Sequence, residues 1–404
     1  MLRVSENVKK VVPPIIDAMV SQAKELRQKG IEIIDLGQGV SNLQLPQELV
    51  TEAIASATET STSISTYSGD RGLGELRREI AKKLREFNHI VIDPDRELLV
   101  TAGSNQGFME ALLAILDPGD EVILPAPYYF NQEMAVRLVG AVPVEAPMKE
   151  DRDGYRLDPN EIARNLSPKT KAIVLVSPNN PTGAVYREED IRKVAAIALE
   201  KSLYVLSDEA YETYVFGKSK HFSIGSIPEL EDRVITFGSF SKSYAMAGMR
   251  VGYLAADWPL IDELLKVHDT MIICAPVISQ AFAISVMRAP QEFHKGFTAE
   301  LERRVDCLRA AIDRVPGLAW REPMGGLFAF IKYDSRRPSF EFASQILRGA
   351  HVLLIPGSGF GRYGEGHLRI SFGAADMEEI KEACCRLEEF FEKTEWSIQE
   401  KQAP

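Results

Sequence analysis

The sequence predicts an α/β fold: a large α/β/α unit with a mainly parallel sheet, joined to a smaller α+β unit. Three observations carry this. Between about residues 95 and 255, short β-branched runs alternate with amphipathic stretches, which is the βαβ signal of a sheet covered by helices. The runs are almost continuously apolar, as strands buried on both faces must be. After about residue 290 the alternation gives way to one long charged helix, two strands and a closing helix. These limits place the large unit at residues 46–289 and assemble the smaller one from residues 1–45 and 290–404.

Taken in order, "ELLVTAG" is the first strand and stops at Gly103-Ser104-Asn105. The helix "NQGFMEALLAIL" follows, with apolar residues at three- and four-residue spacing. "DEVILPAP" runs into Pro127-Tyr128-Tyr129 and the helix "YFNQEMAVRLVG". "KAIVLVSP" ends in Asn179-Asn180-Pro181-Thr182-Gly183, ahead of the helix "REEDIRKVAAIALEKS". "SLYVLSDE" ends in Asp208-Glu209 with Tyr211 close behind, and "RVITFGSF" delivers Ser239-Phe240-Ser241-Lys242. "MRVGYLAA" is the sixth run. Beyond it come "HKGFTAELERRVDCLRAAIDRV" as a helix, "GGLFAFIKY" and "EGHLRISFG" as strands, and a last helix from about Asp376.

Composition narrows the function. The chain has 404 residues, 45% hydrophobic and 26% charged, with a formal net charge of −11. No Lys/Arg run stands out that would neutralise a phosphate backbone, so nucleic acid is not expected as a partner. Four scattered cysteines, Cys274, Cys307, Cys384 and Cys385, give neither a metal spacing nor a disulfide framework. The beginning lacks a signal-like apolar run, and nothing approaches the roughly 20 apolar residues of a membrane span. The expectation is a reduced, cytoplasmic chain without membrane contact. The six histidines form no ligand spacing, so no metal is expected.

Ligands of open α/β sheets bind beyond the carboxyl ends of the strands, and here those ends are unusually polar. Singly, each has an ordinary use: Gly-Ser-Asn caps helices and Asn-Pro-x-Gly makes turns. Together they describe one chemistry. A glycine-serine turn opening a helix, with Ser239, Ser241 and the Arg250 guanidinium, would hold a phosphate. Lys242 beside that anion is a nucleophilic amine suited to an aldehyde, and Asp208 could keep a pyridine nitrogen protonated. Phosphate, aldehyde and pyridinium are the parts of pyridoxal 5'-phosphate.

"NNPTG", "SDEAY", "SKSYAMAGMRVGY" and "HLRISF", in that order, resemble the class I/II aminotransferases, fold-type I pyridoxal-phosphate enzymes. The resemblance extends to "YSGDRGLGELR" near the N-terminus and covers nearly the whole chain. It implies that Lys242 carries the cofactor and shuttles a proton between the substrate α-carbon and C4′. It implies that Asp208 pairs with the ring nitrogen, and that Asn180 and Tyr211 bond the phenolic oxygen. Tyr129 would stack on the ring, with Tyr128 the alternative if the register shifts by one. Gly103, Ser104, Asn105, Ser239, Ser241 and Arg250 would hold the phosphate. Arg369 would clamp the substrate α-carboxylate, with Asn180 and the Gly39 backbone beside it. Tyr67 is similar to a tyrosine that reaches the neighbouring subunit's cofactor, which implies a homodimer with shared sites. The implied reaction moves an amino group between an L-amino acid and a 2-oxo acid by a ping-pong route. The alternative on the same scaffold is a lyase acting on carbon–sulfur bonds or resembling aminocyclopropane-carboxylate synthase.

Two segments depart from the family's commoner pattern: Ala247-Gly248-Met249, and "GQGVSNLQLP" near the substrate entrance. "LGQG" looks like members acting on kynurenine, glutamine or methionine, but the scaffold also serves aspartate and aromatic amino acids. "GFGRYG", residues 359–364, matches a dinucleotide fingerprint but leads into a strand rather than a helix, so it is expected to be a loop.

Overall fold

The computed structural model describes residues 3–58, 64–290 and 292–393. Three longer helices precede the central sheet: α1 (Ile15–Gln28), α2 (Gln47–Thr58) and α3 (Gly74–Lys83). Next come β1 (Leu98–Thr101), α4 (Ser104–Ile115), β2 (Glu121–Ala126), α5 (Phe130–Leu138), β3 (Val142–Pro147), β4 (Thr170–Val176) and α6 (Glu188–Lys201). They are followed by β5 (Tyr204–Asp208), β6 (Val234–Ser239) and β7 (Gly252–Ala255). The strands form one seven-stranded sheet in the order β1-β7-β6-β5-β4-β2-β3. From β3 through β6 every neighbouring pair is parallel, as crossover helices require. The six strands expected from sequence are all there. The seventh, β3, is an edge strand that carries Pro143 and Pro147, which an edge tolerates because proline cannot donate to a ladder.

One strand direction decides where the chemistry can sit. β7 is antiparallel to both β1 and β6, with Gly252 paired to Thr101 on one side and Ser239 on the other. It therefore begins at the edge where the parallel strands end, and Arg250 arrives beside Gly103 and the Ser239–Lys242 turn. The backbones come very close here: a Cβ on Gly252 would lie 2.6 Å from the Ser104 amide nitrogen.

The C-terminal half holds α7 (Trp258–Met271), α8 (Val277–Arg288) and the long α9 (Glu292–Ile312). Then come β8 (Leu318–Ala319), β9 (Phe328–Tyr333), α10 (Ser339–Gly349), β10 (Ile355–Pro356), β11 (His367–Ser371) and α11 (Met377–Lys393). β8-β9-β11-β10 is an antiparallel sheet. The Asp376 carboxylate caps α11 by accepting the Glu378 and Glu379 amides at 3.0 and 2.9 Å. "GFGRYG" falls in two short turns, Gly357–Phe360 and Arg362–Gly364, that lead into β11.

The N-terminal segment packs on this second sheet. Ile34–Asp35 pairs in parallel with Val352–Leu353, and the Gln22 amide donates to the Ser344 hydroxyl at 3.1 Å. The largest apolar cluster runs through both halves, joining Met19, Ile123, Leu175 and Tyr214 to Phe328, Phe342 and Leu387. A second cluster, including Leu99, Phe108 and Leu254, lies between the central sheet and its helices. Among the described residues no helix is long and apolar enough to cross a membrane.

Candidate active site

The site is a cavity of about 250 Å³ at the carboxyl edge of the central sheet, closed on its other side by the second sheet and the N-terminal segment. Its lining includes Gly39, Ser104, Asn105, Tyr129, Asn180, Asp208, Tyr211, Ser239, Ser241, Lys242, Arg250 and Arg369. Of the residues singled out from sequence for cofactor or substrate, Gly103, Tyr67 and the alternative Tyr128 do not line it.

Gly103 instead shapes the wall behind. It caps α4 with φ of 89°, a left-handed conformation that glycine adopts without strain, and a Cβ there would run into the Arg250 guanidinium. Arg250 is oriented by the Ala247 carbonyl at 3.0 Å and lies 3.4 Å from the Ser241 hydroxyl. The Ser239 hydroxyl accepts the Ser241 amide at 3.1 Å. A helix N-terminus, two hydroxyls and a guanidinium therefore face one small space, which is the composition of an anion cradle.

Lys242 is fixed through its backbone. Its carbonyl accepts the Tyr214 hydroxyl at 2.8 Å and the Ala245 amide at 2.9 Å. The side chain donates to the Gly39 carbonyl at 2.5 Å, and its nitrogen lies 6.0 Å from the Tyr211 ring centre. Burial, then the Arg369 and Arg250 charges, pull its amine from the ordinary lysine range to about 8, against the pull of Asp208.

Asp208 ends β5, where the Ala210 amide at 3.2 Å and the Gln132 amide group at 3.0 Å each hold one carboxylate oxygen. Burial pushes its pKa up to about 6 despite those bonds. Gln132 was not foreseen. It lies one turn into α5 from Tyr129, which the structure, rather than Tyr128, places on the cavity. The Tyr128 hydroxyl instead donates to Glu145 at 3.1 Å. The Tyr129 phenol is raised by burial, opposed by hydrogen bonds from Asn105 and Asn131, and burial raises the Tyr211 phenol as well.

Arg369 comes from the middle of β11, paired with Phe330 and Ile355 on either side. It is 1% exposed and lies over the rings of Phe328 at 4.4 Å and Phe360 at 5.0 Å. Its guanidinium donates to the Asn180 amide oxygen at 3.2 Å and the Gly37 carbonyl at 2.5 Å, and its Nε has no partner. Burial lowers it to about 10, so it stays a cation near neutrality. A buried cation bonded only to neutral oxygens is stable there if an anionic ligand completes it.

On the opposite side of the end of β5 lies a second group of charges. Glu209 accepts from Ser207 at 2.8 Å, Ser223 at 2.6 Å and Asn88 at 2.8 Å, and its carboxylate meets the His221 ring at 3.1 Å. Glu212 accepts from Asn88 at 2.6 Å and pairs with Lys83. Burial works against both charges of the Glu209–His221 pair, but their attraction prevails, holding the carboxyl below and the imidazole above its ordinary range. Glu209, Glu212 and His221 could group around a cation by distance alone, but Lys83, Asn88 and His221 already satisfy both carboxylates. A roomier cavity of about 640 Å³ borders Lys83 between α3 and α9. Its wall mixes Phe87, Tyr244 and Met287 with both signs of charge, and no reactive set converges there.

An anion cradle, a depressed lysine and a buried aspartate at one sheet edge define a pyridoxal-phosphate enzyme, and the residues fit that cofactor. The model of the aminotransferase class I and II family matches residues 31–387. The chain belongs to that family and is a pyridoxal-phosphate-dependent aminotransferase. It is 34% identical over 371 residues to an aspartate aminotransferase of Pyrococcus abyssi, covering 88% of this chain and 91% of that protein. It is also 34% identical over 364 residues to aromatic-amino-acid aminotransferase 2 of Thermococcus litoralis, covering 89% and 92%. The solved alanine aminotransferase from Pyrococcus furiosus superposes with a TM-score of 0.90 at 31% identity, covering 97% of this chain and 100% of that one. These similarities support amino transfer over the lyase alternative.

Proposed function

We propose that Lys242 is the amine that binds the cofactor's aldehyde carbon, and that the chain moves an amino group between an L-amino acid and a 2-oxo acid in two alternating half-reactions. The observation that carries this is one cavity holding Lys242, depressed to about 8, with Asp208, Arg250 and Arg369. When bound, the cofactor supplies an electron sink for negative charge at the substrate Cα.

The chain's own residues then have distinct tasks. Lys242, able to exist as a free amine near neutrality, takes the proton from the substrate Cα and returns it at C4′. Asp208, made more basic by burial, holds a proton on the ring nitrogen. Tyr211 and the Asn180 amide nitrogen would hold the cofactor's phenolic oxygen, and Tyr129 would pack against its ring. Gly103, Ser104, Asn105, Ser239, Ser241 and Arg250 hold the phosphate through helix amides, hydroxyls and a forked cation. Arg369 takes the α-carboxylate beside Asn180 and the Gly39 backbone, with two parallel bonds that lysine cannot reproduce.

Tyr67 is 72% exposed and lies outside its own chain's cavity, which supports a homodimer in which it serves the neighbouring site. The division into residues 46–289 against 1–45 with 290–404 belongs to the same reading, supported by the packing of the N-terminal segment on the second sheet. So does a cytoplasmic setting, supported by four free cysteines.

Borohydride reduction of the holoprotein, followed by peptide mass spectrometry, is expected to place a pyridoxyl group on Lys242. A tag on another residue, or none, overturns the assignment.

A further inference from the structure

Gln280 is a fully buried amide in the first turn of α8, outside the lining of the cavity. Its side chain reaches two other segments. The amide oxygen accepts the Leu73 N–H at 2.7 Å, and the amide nitrogen donates to the Ser68 hydroxyl at 3.3 Å and the Ala275 carbonyl at 2.8 Å. One side chain thus ties both ends of the turn 68–73 to the turn that opens α8. Ser68 is the residue after Tyr67, and Leu73 caps α3.

Both turns have backbones that need holding. Gly72 has φ of 90°, and a Cβ there would meet the Val100 side chain at 2.7 Å and the Gln280 amide oxygen at 2.8 Å. Ile273, two residues before Ala275, has φ of 67°, a left-handed conformation that a β-branched residue keeps only under constraint. The middle of the turn 68–73 is anchored by other means. The Gly72 amide donates to the Gly69 carbonyl at 2.8 Å, the Arg71 carbonyl accepts the Val100 amide of β1 at 3.2 Å, and the Arg71 guanidinium meets Asp262 of α7 at 2.5 Å. Of these anchors, the Gln280 amide is the one that reaches the residue beside Tyr67.

We propose that Gln280 is a positioning residue of the shared site: by joining Ser68 and Leu73 to Ala275, it presents the Tyr67 hydroxyl to the cofactor phosphate in the neighbouring subunit. The proposal rests on the reading above in which Tyr67 serves that site. An exposed side chain on a loose turn must be ordered at each binding event, and that cost comes out of the affinity; a turn held beforehand avoids it. Gln280→Met keeps the volume but leaves the Leu73 N–H and the Ala275 carbonyl buried without this partner, so the turn relaxes and Tyr67 with it.

The test is a double-mutant cycle on the full-length protein, read as equilibrium binding of pyridoxal 5'-phosphate and, separately, of pyridoxal, which has no phosphate. Tyr67→Phe is expected to weaken pyridoxal 5'-phosphate at least about tenfold and to leave pyridoxal within about twofold. Gln280→Met should do the same, yet weaken pyridoxal 5'-phosphate by less than about twofold further once Tyr67→Phe is present. Should Gln280→Met not fold, Ser68→Ala carries the same cycle with an expected loss of about threefold. Binding left unchanged by the substitution, both ligands weakened alike, or an equal loss with and without Tyr67→Phe, overturns the role of Gln280 and leaves that of Tyr67 standing. Pyridoxal 5'-phosphate binding to Tyr67→Phe as tightly as to the unsubstituted protein overturns the reading of Tyr67 and this proposal with it.

Discussion

Asp208 and Glu209 are neighbours in the chain that face opposite company. Glu209, with Glu212, meets Lys83, Asn88 and His221, and every oxygen of both carboxylates has a partner. On the Asp208 side three cations face one carboxylate, and those cations hydrogen-bond only neutral oxygens. Burial alone therefore does not mark the site. What marks it is positive charge that the protein's own carboxylates leave unmatched, as the proposed binding of a phosphate and a substrate carboxylate requires.

Substitutions on the two sides should fail in different ways. Lys242→Ala is expected to lower turnover by at least about 10⁴-fold while the protein stays folded, as read by a coupled amino-transfer assay beside circular dichroism. Full activity in that variant would remove the lysine from the mechanism. Arg369→Ala should lower kcat/KM by about 10³-fold for every amino acid alike. A loss confined to one substrate would instead place Arg369 in a side-chain pocket.

On the matched side the damage should be to stability. Lys83→Met leaves Glu212 buried without its cation and is expected to cost about 3 kcal/mol in urea unfolding, with kcat per folded molecule nearly unchanged. A large fall in kcat at unchanged stability would break the comparison.

The smallest expected effect is that of pH. Lys242 is held low, so its uncharged form is favoured in the fold. The stability this group supplies is fully present above the unfolded lysine value and is lost as pH falls through about 8. The rate at which apoprotein captures pyridoxal phosphate should accordingly rise toward pH 8 and level off above it, measured by the growth of visible absorbance. A rate that keeps climbing well above pH 8 would show that the amine is not depressed.

The unmatched side was legible because its residues occupy strand ends, where short motifs carry both the turn and the chemistry. "SKSYAMAGMR" places Lys242 and Arg250 in one sentence of sequence. The matched side was invisible for the opposite reason: Lys83, Asn88, Glu212 and His221 are scattered through the chain and meet only when the end of α3 and the turn after it reach the segment that follows β5. Gln132 hid within an ordinary helix pattern, and β3 hid behind its prolines. Tyr128 and Tyr129 could not be separated by sequence because one residue of register exchanges their directions.

The apolar cluster that unites Met19 and Leu175 with Phe328 and Leu387 limits what can be cut from this molecule. A fragment stopped near residue 290 would present a broad greasy wound where α9 and the second sheet belong, and should precipitate on expression. Supplying residues 290–404 as a separate polypeptide would have to heal that wound before any cofactor could be retained.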